Sequence, residues 1–195
     1  MVTAADGGER ACVFLDRDGT LIEDRGYVHL PEQVRILPGV REGLAALRRA
    51  GCLLIVVTNQ SGVARGYYDE AAVERCHVHL SAQLGAAAAP DAYYYCPFHP
   101  DAVHAEYRRT SELRKPGIGM YERACAEHAI DRQRSFMIGD KALDIEFGRR
   151  ARLRPILVGD AEPVPGDDFV RAADFTSAAA SVLAALPRSM PKARG

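Results

Sequence analysis

Apolar residues recur along this chain in short unbroken runs, separated by stretches with a helical period. Ala11-Cys12-Val13-Phe14-Leu15 is the first run and Cys52 to Val57 the second. Runs of this length, bounded by polar and turn residues, read as strands buried on both faces. Between them, Pro38 to Ala50 sets Val40, Leu44 and Leu47 on one helical face, with Pro38 at its start and Gly51 at its end. Asp69 is placed to cap a helix reaching about Leu84, with Val73, Cys76, Leu80 and Leu84 inward and Gly85 as the stop. Ala92 to Cys96 reads as a tyrosine-rich strand, and 97–116 as a long loop without a period. A helix over 117–129, a strand from Ser135 to Ile138, a helix from about Lys141 to Arg150 and a strand from Pro155 to Val158 follow. Residues 160–168 are acidic and rich in Pro and Gly, hence loop, and Ser177 to Leu186 is a last apolar helix. Alternation of continuous apolar strands with helices predicts an α/β fold, a Rossmann-like parallel sheet with helices on both faces. One domain over 11–186 is expected, without a large cap domain and with flexible termini at 1–10 and 187–195.

Composition narrows the function classes. The 195 residues are 48% apolar, which fits a folded domain and not a disordered chain. Lys plus Arg number 25 against 26 Asp plus Glu, so there is no basic footprint for nucleic acid or an anionic membrane. No apolar run approaches the length of a membrane span, and the acidic start Ala5-Asp6-Gly7-Gly8-Glu9 lacks the features of a signal peptide. The five cysteines at 12, 52, 76, 96 and 125 form no C-x-x-C pair and mostly sit in apolar segments. Free thiols in a reducing cytosol are the expectation, hence a cytoplasmic protein. The expected partner is a small molecule bound by a monomer.

The polar residues that matter lie where strands end. The first strand runs into Asp16-Arg17-Asp18-Gly19-Thr20, the second into Thr58-Asn59-Gln60-Ser61-Gly62, and the strand at 135–138 into Gly139-Asp140. Arg114-Lys115-Pro116 stands just before a helix. In an open parallel sheet these ends share one edge, the edge at which ligands bind. Taken alone, Asp-x-Asp-Gly suits a plain turn, Thr58 a helix cap and Arg114-Lys115 a solvated surface. A calcium loop needs its glycine at position six and a glutamate at twelve, whereas the glycine here is fourth and Tyr27 is twelfth. Together, carboxylates, a hydroxyl, backbone amides and a lysine suit phosphoryl transfer. A hard divalent ion between carboxylates and phosphate relieves their repulsion, and an aspartate can attack phosphorus to form an acyl phosphate.

These motifs resemble the haloacid dehalogenase superfamily. Asp16-Arg17-Asp18-Gly19-Thr20 resembles its first motif, Thr58 its second, Lys115 its third, and Gly139-Asp140-Lys141-Ala142-Leu143-Asp144 its fourth. Gly26-Tyr27-Val28, the Val57–Gly66 run, Tyr94-Tyr95-Cys96-Pro97, Arg114-Lys115-Pro116 and Gly139-Asp140-Lys141 are similar to the D-glycero-D-manno-heptose 1,7-bisphosphate phosphatase and histidinol phosphatase branch. The resemblance implies Asp16 as nucleophile and magnesium ligand. It implies Asp18 as general acid and base with its carbonyl on magnesium, Asp140 as a further magnesium ligand, and Asp144 as support for the metal site. Thr58, Asn59 and Lys115 would bind the transferring phosphate, and Arg114 and Lys141 the substrate or the carboxylates. The expected activity is removal of phosphate from a sugar phosphate, with the C1 phosphate of the heptose bisphosphate as the specific expectation. Alternatives are histidinol phosphate or another small monoester as substrate, and a non-catalytic phosphate-binding protein. The last would be expected to have damage at Asp16, Asp18, Lys115 or Asp140, and all four are present.

One departure from the branch is plain. Its zinc clamp would need a Cys-x-His and a Cys-x-Cys before Arg114, but Phe98 stands in place of the histidine, and Ser111-Glu112-Leu113 in place of the Cys-x-Cys. Four ligands are needed for a structural zinc, so no structural zinc is expected. Only 37 residues separate Thr20 from Thr58, so a Glu23–Leu37 flap and the 97–116 loop are expected to cover an open site. Arg25, His29, Arg65, Arg108, Arg109 and Arg114 on those covers are candidates to meet a second anionic group.

Overall fold

A computed structural model describes residues 8–160 and 164–187 of the chain. Six strands form one parallel sheet in the order β3-β2-β1-β4-β5-β6. They are β1 (Arg10–Leu15), β2 (Leu53–Asn59), β3 (Ala92–Cys96), β4 (Ile130–Gly139), β5 (Arg154–Val158) and β6 (Val170–Ala172). The helices are α1 (Val40–Arg49), α2 (Ser61–Ala64), α3 (Glu70–Leu84), α4 (Gly119–Glu127), α5 (Ala142–Arg150) and α6 (Phe175–Ala185).

Alternation along β1 divides the core into two layers. Val13 and Leu15 pack with Leu44 and Leu47 of α1, Leu80 of α3 and Val182 of α6. Cys12 and Phe14 pack with Met120 and Ala124 of α4 and Phe147 of α5. Both faces are therefore covered, as continuous apolar strands require. Asp69 caps α3 by accepting the Ala72 N–H at 2.8 Å, and Gly85 ends it at φ 76°.

Three features depart from the expected elements. Arg10 belongs to β1 and is not part of a loose terminus; its guanidinium donates to Gly51 O at 2.9 Å and Cys52 O at 3.1 Å. β4 starts five residues earlier than expected, at Ile130. Its polar first half, Asp131 to Arg134, hid it from an apolar-run reading. β6 has three residues, two of them exposed, and lacks an apolar run of its own. Residues 1–7, 161–163 and 188–195, which take in most of the expected flexible termini and part of the 160–168 loop, lie outside the described residues.

The connections fix the site. The segment from Glu23 to Leu37 folds back on β1's extension through Glu23 N–H to Arg35 O at 2.9 Å and Leu37 N–H to Leu21 O at 3.0 Å. It holds one short 3-10 turn, Pro31–Gln33. The 97–116 segment holds one more, Ala105–Tyr107. No described helix is long and apolar enough to cross a membrane.

Candidate active site

β1, β2 and β4 bring their C-terminal residues to one sheet edge, and with them Asp16, Thr58 and Asp140. The turn after β1 is tight because Gly19 takes φ 85°, and a Cβ there would lie 2.2 Å from an Asp140 oxygen. Only glycine allows β1's turn to approach the β4 turn so closely. Gly139 is similarly required, since a Cβ would lie 2.3 Å from Asp144 Cβ.

Asp16, Asp140 and Asp144 each place a carboxylate oxygen within 4.8 Å of the others. Lys115 is buried among them, with Nζ 2.6 Å from Asp16 Oδ1 and 2.6 Å from Asp144 Oδ1. Burial opposes the lysine's charge, but Asp144 and Asp16 outweigh it and raise its pKa above the ordinary lysine value. One lysine cannot neutralise three carboxylates. Burial, followed by the Asp16 charge, pushes Asp140 up to about 7, and burial pushes Asp144 up to about 6 against the pull of Lys115. An all-oxygen, negatively charged pocket of this kind fits a hard divalent cation. Both Asp144 oxygens are engaged, by Lys115 Nζ and by the Lys141 N–H at 3.1 Å, which suits support better than ligation. Asp16 Oδ2 has no hydrogen-bond partner among the described residues.

Asp18 is held apart from that cluster. Arg17 Nε donates to its Oδ2 at 3.0 Å and Arg17 Nη2 to its Oδ1 at 3.1 Å, while Gln60 Nε2 donates to Oδ2 at 3.1 Å. Burial nevertheless raises the Asp18 pKa, with the Arg17 charge opposing it. Arg17, 1% exposed, also donates to Val28 O on the flap at 3.0 Å.

The remaining expected residues have specific surroundings. Thr58 is buried and accepts from Gln60 Nε2 at 2.9 Å. Asn59 holds the Lys115 backbone from both sides, accepting its N–H at 2.9 Å and donating to its carbonyl at 3.2 Å. Lys141 reaches Asp24 of the flap at 2.8 Å and Asp140 at 3.9 Å. Arg114 is partly buried beside Lys115, and its Nη1 has no partner among the described residues. A pocket of about 220 Å³ opens over Asp18, Asn59 and Gln60, walled by Asp24, Tyr27 and Lys141. A larger groove of about 750 Å³ lies behind the 97–116 loop and is not lined by Asp16, Asp18 or Lys115.

That loop is tied down by side chains. Glu70 of α3 accepts hydroxyls from Tyr95 at 2.8 Å and Tyr107 at 2.9 Å. Arg109 lies 3.7 Å over the Phe98 ring, and Arg108 donates to Ala102 O at 2.8 Å. Arg25 pairs with Glu23 at 2.7 Å. Three of the basic residues expected to meet an anion thus have partners within the covers. Cys96 is buried, with Sγ 3.8 Å from Phe98 O. All five cysteines are free thiols. Arg17, Gln60 and Tyr68 received no role from the sequence, because their function depends on contacts across the fold.

Comparison with known proteins identifies the family. A HAD-hydrolase-like family model matches residues 112–175. A D-glycero-β-D-manno-heptose-1,7-bisphosphate 7-phosphatase from Photorhabdus laumondii is 41% identical over 154 residues, covering 78% of this chain and 82% of its own. Its counterpart from Escherichia coli O6:H1 is 36% identical over 182 residues, covering 92% and 94%. The crystal structure of D,D-heptose 1,7-bisphosphate phosphatase from B. bronchiseptica, complexed with magnesium and phosphate, superposes with a TM-score of 0.78 at 27% identity, covering 89% and 98%. These relatives are named for the 7-phosphate, against the C1 phosphate expected from the sequence. The expectation rested on motifs that bind the transferring phosphate and carry no information on which end of the sugar enters first. With its carboxylates and lysine at the ends of a parallel sheet, the chain belongs to the heptose bisphosphate phosphatase family of the haloacid dehalogenase superfamily, and it is a phosphoric monoester hydrolase.

Proposed function

We propose that this protein, acting through one domain over 11–186, removes the C7 phosphate of D-glycero-D-manno-heptose 1,7-bisphosphate with magnesium bound. The observation that carries the chemistry is the buried set of Asp16, Asp140 and Asp144 around Lys115, with one Asp16 oxygen unpartnered among the described residues. The names of the relatives support the substrate and the C7 position.

Asp16 attacks phosphorus, the bond from phosphorus to the C7 oxygen breaks, and Asp18 gives its proton to the departing oxygen. Asp18, now a carboxylate, takes a proton from water as that water attacks the aspartyl phosphate. The Asp16–phosphorus bond breaks and inorganic phosphate leaves. Lys115 and the Thr58 hydroxyl stabilise charge on the phosphoryl oxygens, and a preorganised donor of this kind is worth about 3 kcal/mol. Asp16, Asp140 and the Asp18 carbonyl would hold magnesium, with Asp144 behind them; the ion supplies positive charge against the incoming phosphate. Asn59 acts here chiefly by setting the Lys115 backbone. Lys141 and Arg114 lie at the rim, placed to meet the remainder of the substrate.

The test is phosphate release from the heptose 1,7-bisphosphate, with phosphorus NMR of the product. The expected product keeps its C1 phosphate, and EDTA abolishes the rate until magnesium is restored. A product that keeps the 7-phosphate overturns the regiochemistry, full activity after chelation overturns the metal, and preferential turnover of histidinol phosphate overturns the substrate.

A further inference from the structure

Gln60 sits in a polar run after β2, yet it is 2% exposed. Its amide makes four hydrogen bonds. Oε1 accepts from Arg17 Nη2 at 3.1 Å and from the Tyr68 hydroxyl at 3.0 Å. Nε2 donates to Asp18 Oδ2 at 3.1 Å and to Thr58 Oγ1 at 2.9 Å. A carboxamide has two donors and two acceptor sites, and all are occupied here. The orientation is forced, because Arg17 only donates and an ionised Asp18 only accepts. Turning the amide over would set nitrogen against guanidinium and oxygen against carboxylate.

We propose that Gln60 is a positioning residue for both halves of the reaction, fixing the Asp18 carboxyl and aiming the Thr58 hydroxyl. The inference rests on Asp18 being the acid and base. Asp18 Oδ2 receives donors from both Arg17 and Gln60, and Oδ1 a second Arg17 donor, so the carboxyl is fixed from two sides, and the Gln60 side is the one that also reaches Thr58. Thr58 Oγ1 accepts the Gln60 N–H, so its single O–H is left to donate elsewhere, to the transferring phosphate. Tyr68 closes the network: its hydroxyl holds Gln60, and its ring stacks on His29 of the flap at 4.9 Å and 8°. Arg17 adds a second link, since it bonds Val28 O of the same flap. The flap is thereby coupled to the orientation of Asp18.

The experiment compares two leaving groups. A sugar alkoxide needs a proton to leave, whereas the nitrophenolate of p-nitrophenyl phosphate does not, so a misplaced acid slows phosphoryl transfer from the first alone, while the later base step is common to both; kcat/KM reports the first half and separates the two. Gln60→Leu is expected to lower kcat/KM on the sugar phosphate by about tenfold more than on p-nitrophenyl phosphate. Asp18→Asn is the reference. If Asp18→Asn lowers kcat/KM equally for both substrates, the reading of Asp18 as the acid itself fails. If Asp18→Asn discriminates and folded Gln60→Leu does not, the positioning role of Gln60 is overturned. Should Gln60→Leu fail to fold, Tyr68→Phe keeps Gln60 and removes one of its restraints. Its expected effect is a smaller discrimination of the same sign, and equal rates on both substrates relative to wild type overturn the proposal.

Discussion

Lys115→Met removes the one buried cation among three carboxylates while roughly keeping the side chain's length. Lys115 is 3% exposed, its two partners lie at 2.6 Å, and Asp144 is fully buried. Breaking a buried pair by deleting one partner costs about 3–5 kcal/mol, because the other charge is left uncompensated. For a chain of this size that corresponds to a Tm loss of roughly 6–20 °C. The cost must depend on pH. Burial already holds Asp140 at about 7 and Asp144 at about 6, above the ordinary carboxylate value. Loss of the lysine raises Asp144 further, since Lys115 is the group that opposes its burial. An acid with a raised folded pKa destabilises the fold above the unfolded pKa, increasingly as pH climbs through the folded one. The variant should therefore be least stable, relative to wild type, near pH 8, and should recover much of the difference near pH 5, where the carboxylates take up protons. The assay is thermal unfolding of both metal-free proteins from pH 5 to 8, with kcat/KM measured alongside at pH 7.5. Turnover should fall by about 10²–10³, as for loss of a preorganised donor at a transition state. An unchanged Tm at pH 8, or a Tm difference that is flat with pH, would refute the account of Lys115 as the cluster's counter-charge.

Asp16→Asn should abolish turnover while the protein stays folded, since an amide cannot attack phosphorus; wild-type rates in the folded variant exclude the aspartyl phosphate. Elemental analysis of protein purified without chelators should find no stoichiometric zinc, because Phe98, Ser111 and Leu113 supply no ligands; one zinc per chain, lost on Cys96→Ser, would show a rebuilt site. His77, stacked on Tyr93 at 4.4 Å with its Nε2 buried and unpartnered among the described residues, has its pKa lowered to about 3 by burial. The unfolded histidine binds a proton that the folded one refuses, so stability is lost as pH falls from about 6.5 toward 3, amounting to about 2 kcal/mol by pH 5. His77→Phe should remove this component, and an identical pH slope in denaturant titrations of the two proteins would contradict it.

The parts of the fold legible in the sequence are those whose signal is local. β1, β2, β3 and β5 are apolar runs that no solvent-exposed segment would carry, and α3 has both its cap and its stop in adjacent residues. β6 was not legible, because Val170-Arg171-Ala172 earns its place only by pairing with β5 at the sheet edge. The same distinction holds at the site. Asp16, Asp18, Thr58, Lys115, Asp140 and Asp144 stand at predictable element ends. The network of Arg17, Gln60 and Tyr68 requires side chains from β1's turn, β2's end and the approach to α3 to meet, and no local spacing encodes that. Arg17 carried one faint clue: an arginine between two carboxylates directly after a buried strand has little room to reach solvent.

The loop that departs from the zinc-clamp pattern shows how the placement of Lys115 can tolerate such a change. Lys115 lies at the end of the 97–116 segment, so a loose segment would be expected to misplace it. Its backbone, however, is gripped by the Asn59 amide through both N–H and carbonyl, and Asn59 is the last residue of β2. Its side chain is gripped by Asp16 and Asp144, which follow β1 and open α5. Position and orientation of the ammonium group are thus referred to the sheet and not to the loop. Farther out, Glu70 with Tyr95 and Tyr107, and Arg109 over Phe98, fasten the segment to α3 and β3. These contacts are individually weak beside four zinc bonds, but they need only order the loop. The sheet already places the charge that the proposed phosphoryl transfer uses, so the rim of the site is free to vary without displacing the ammonium group at its centre.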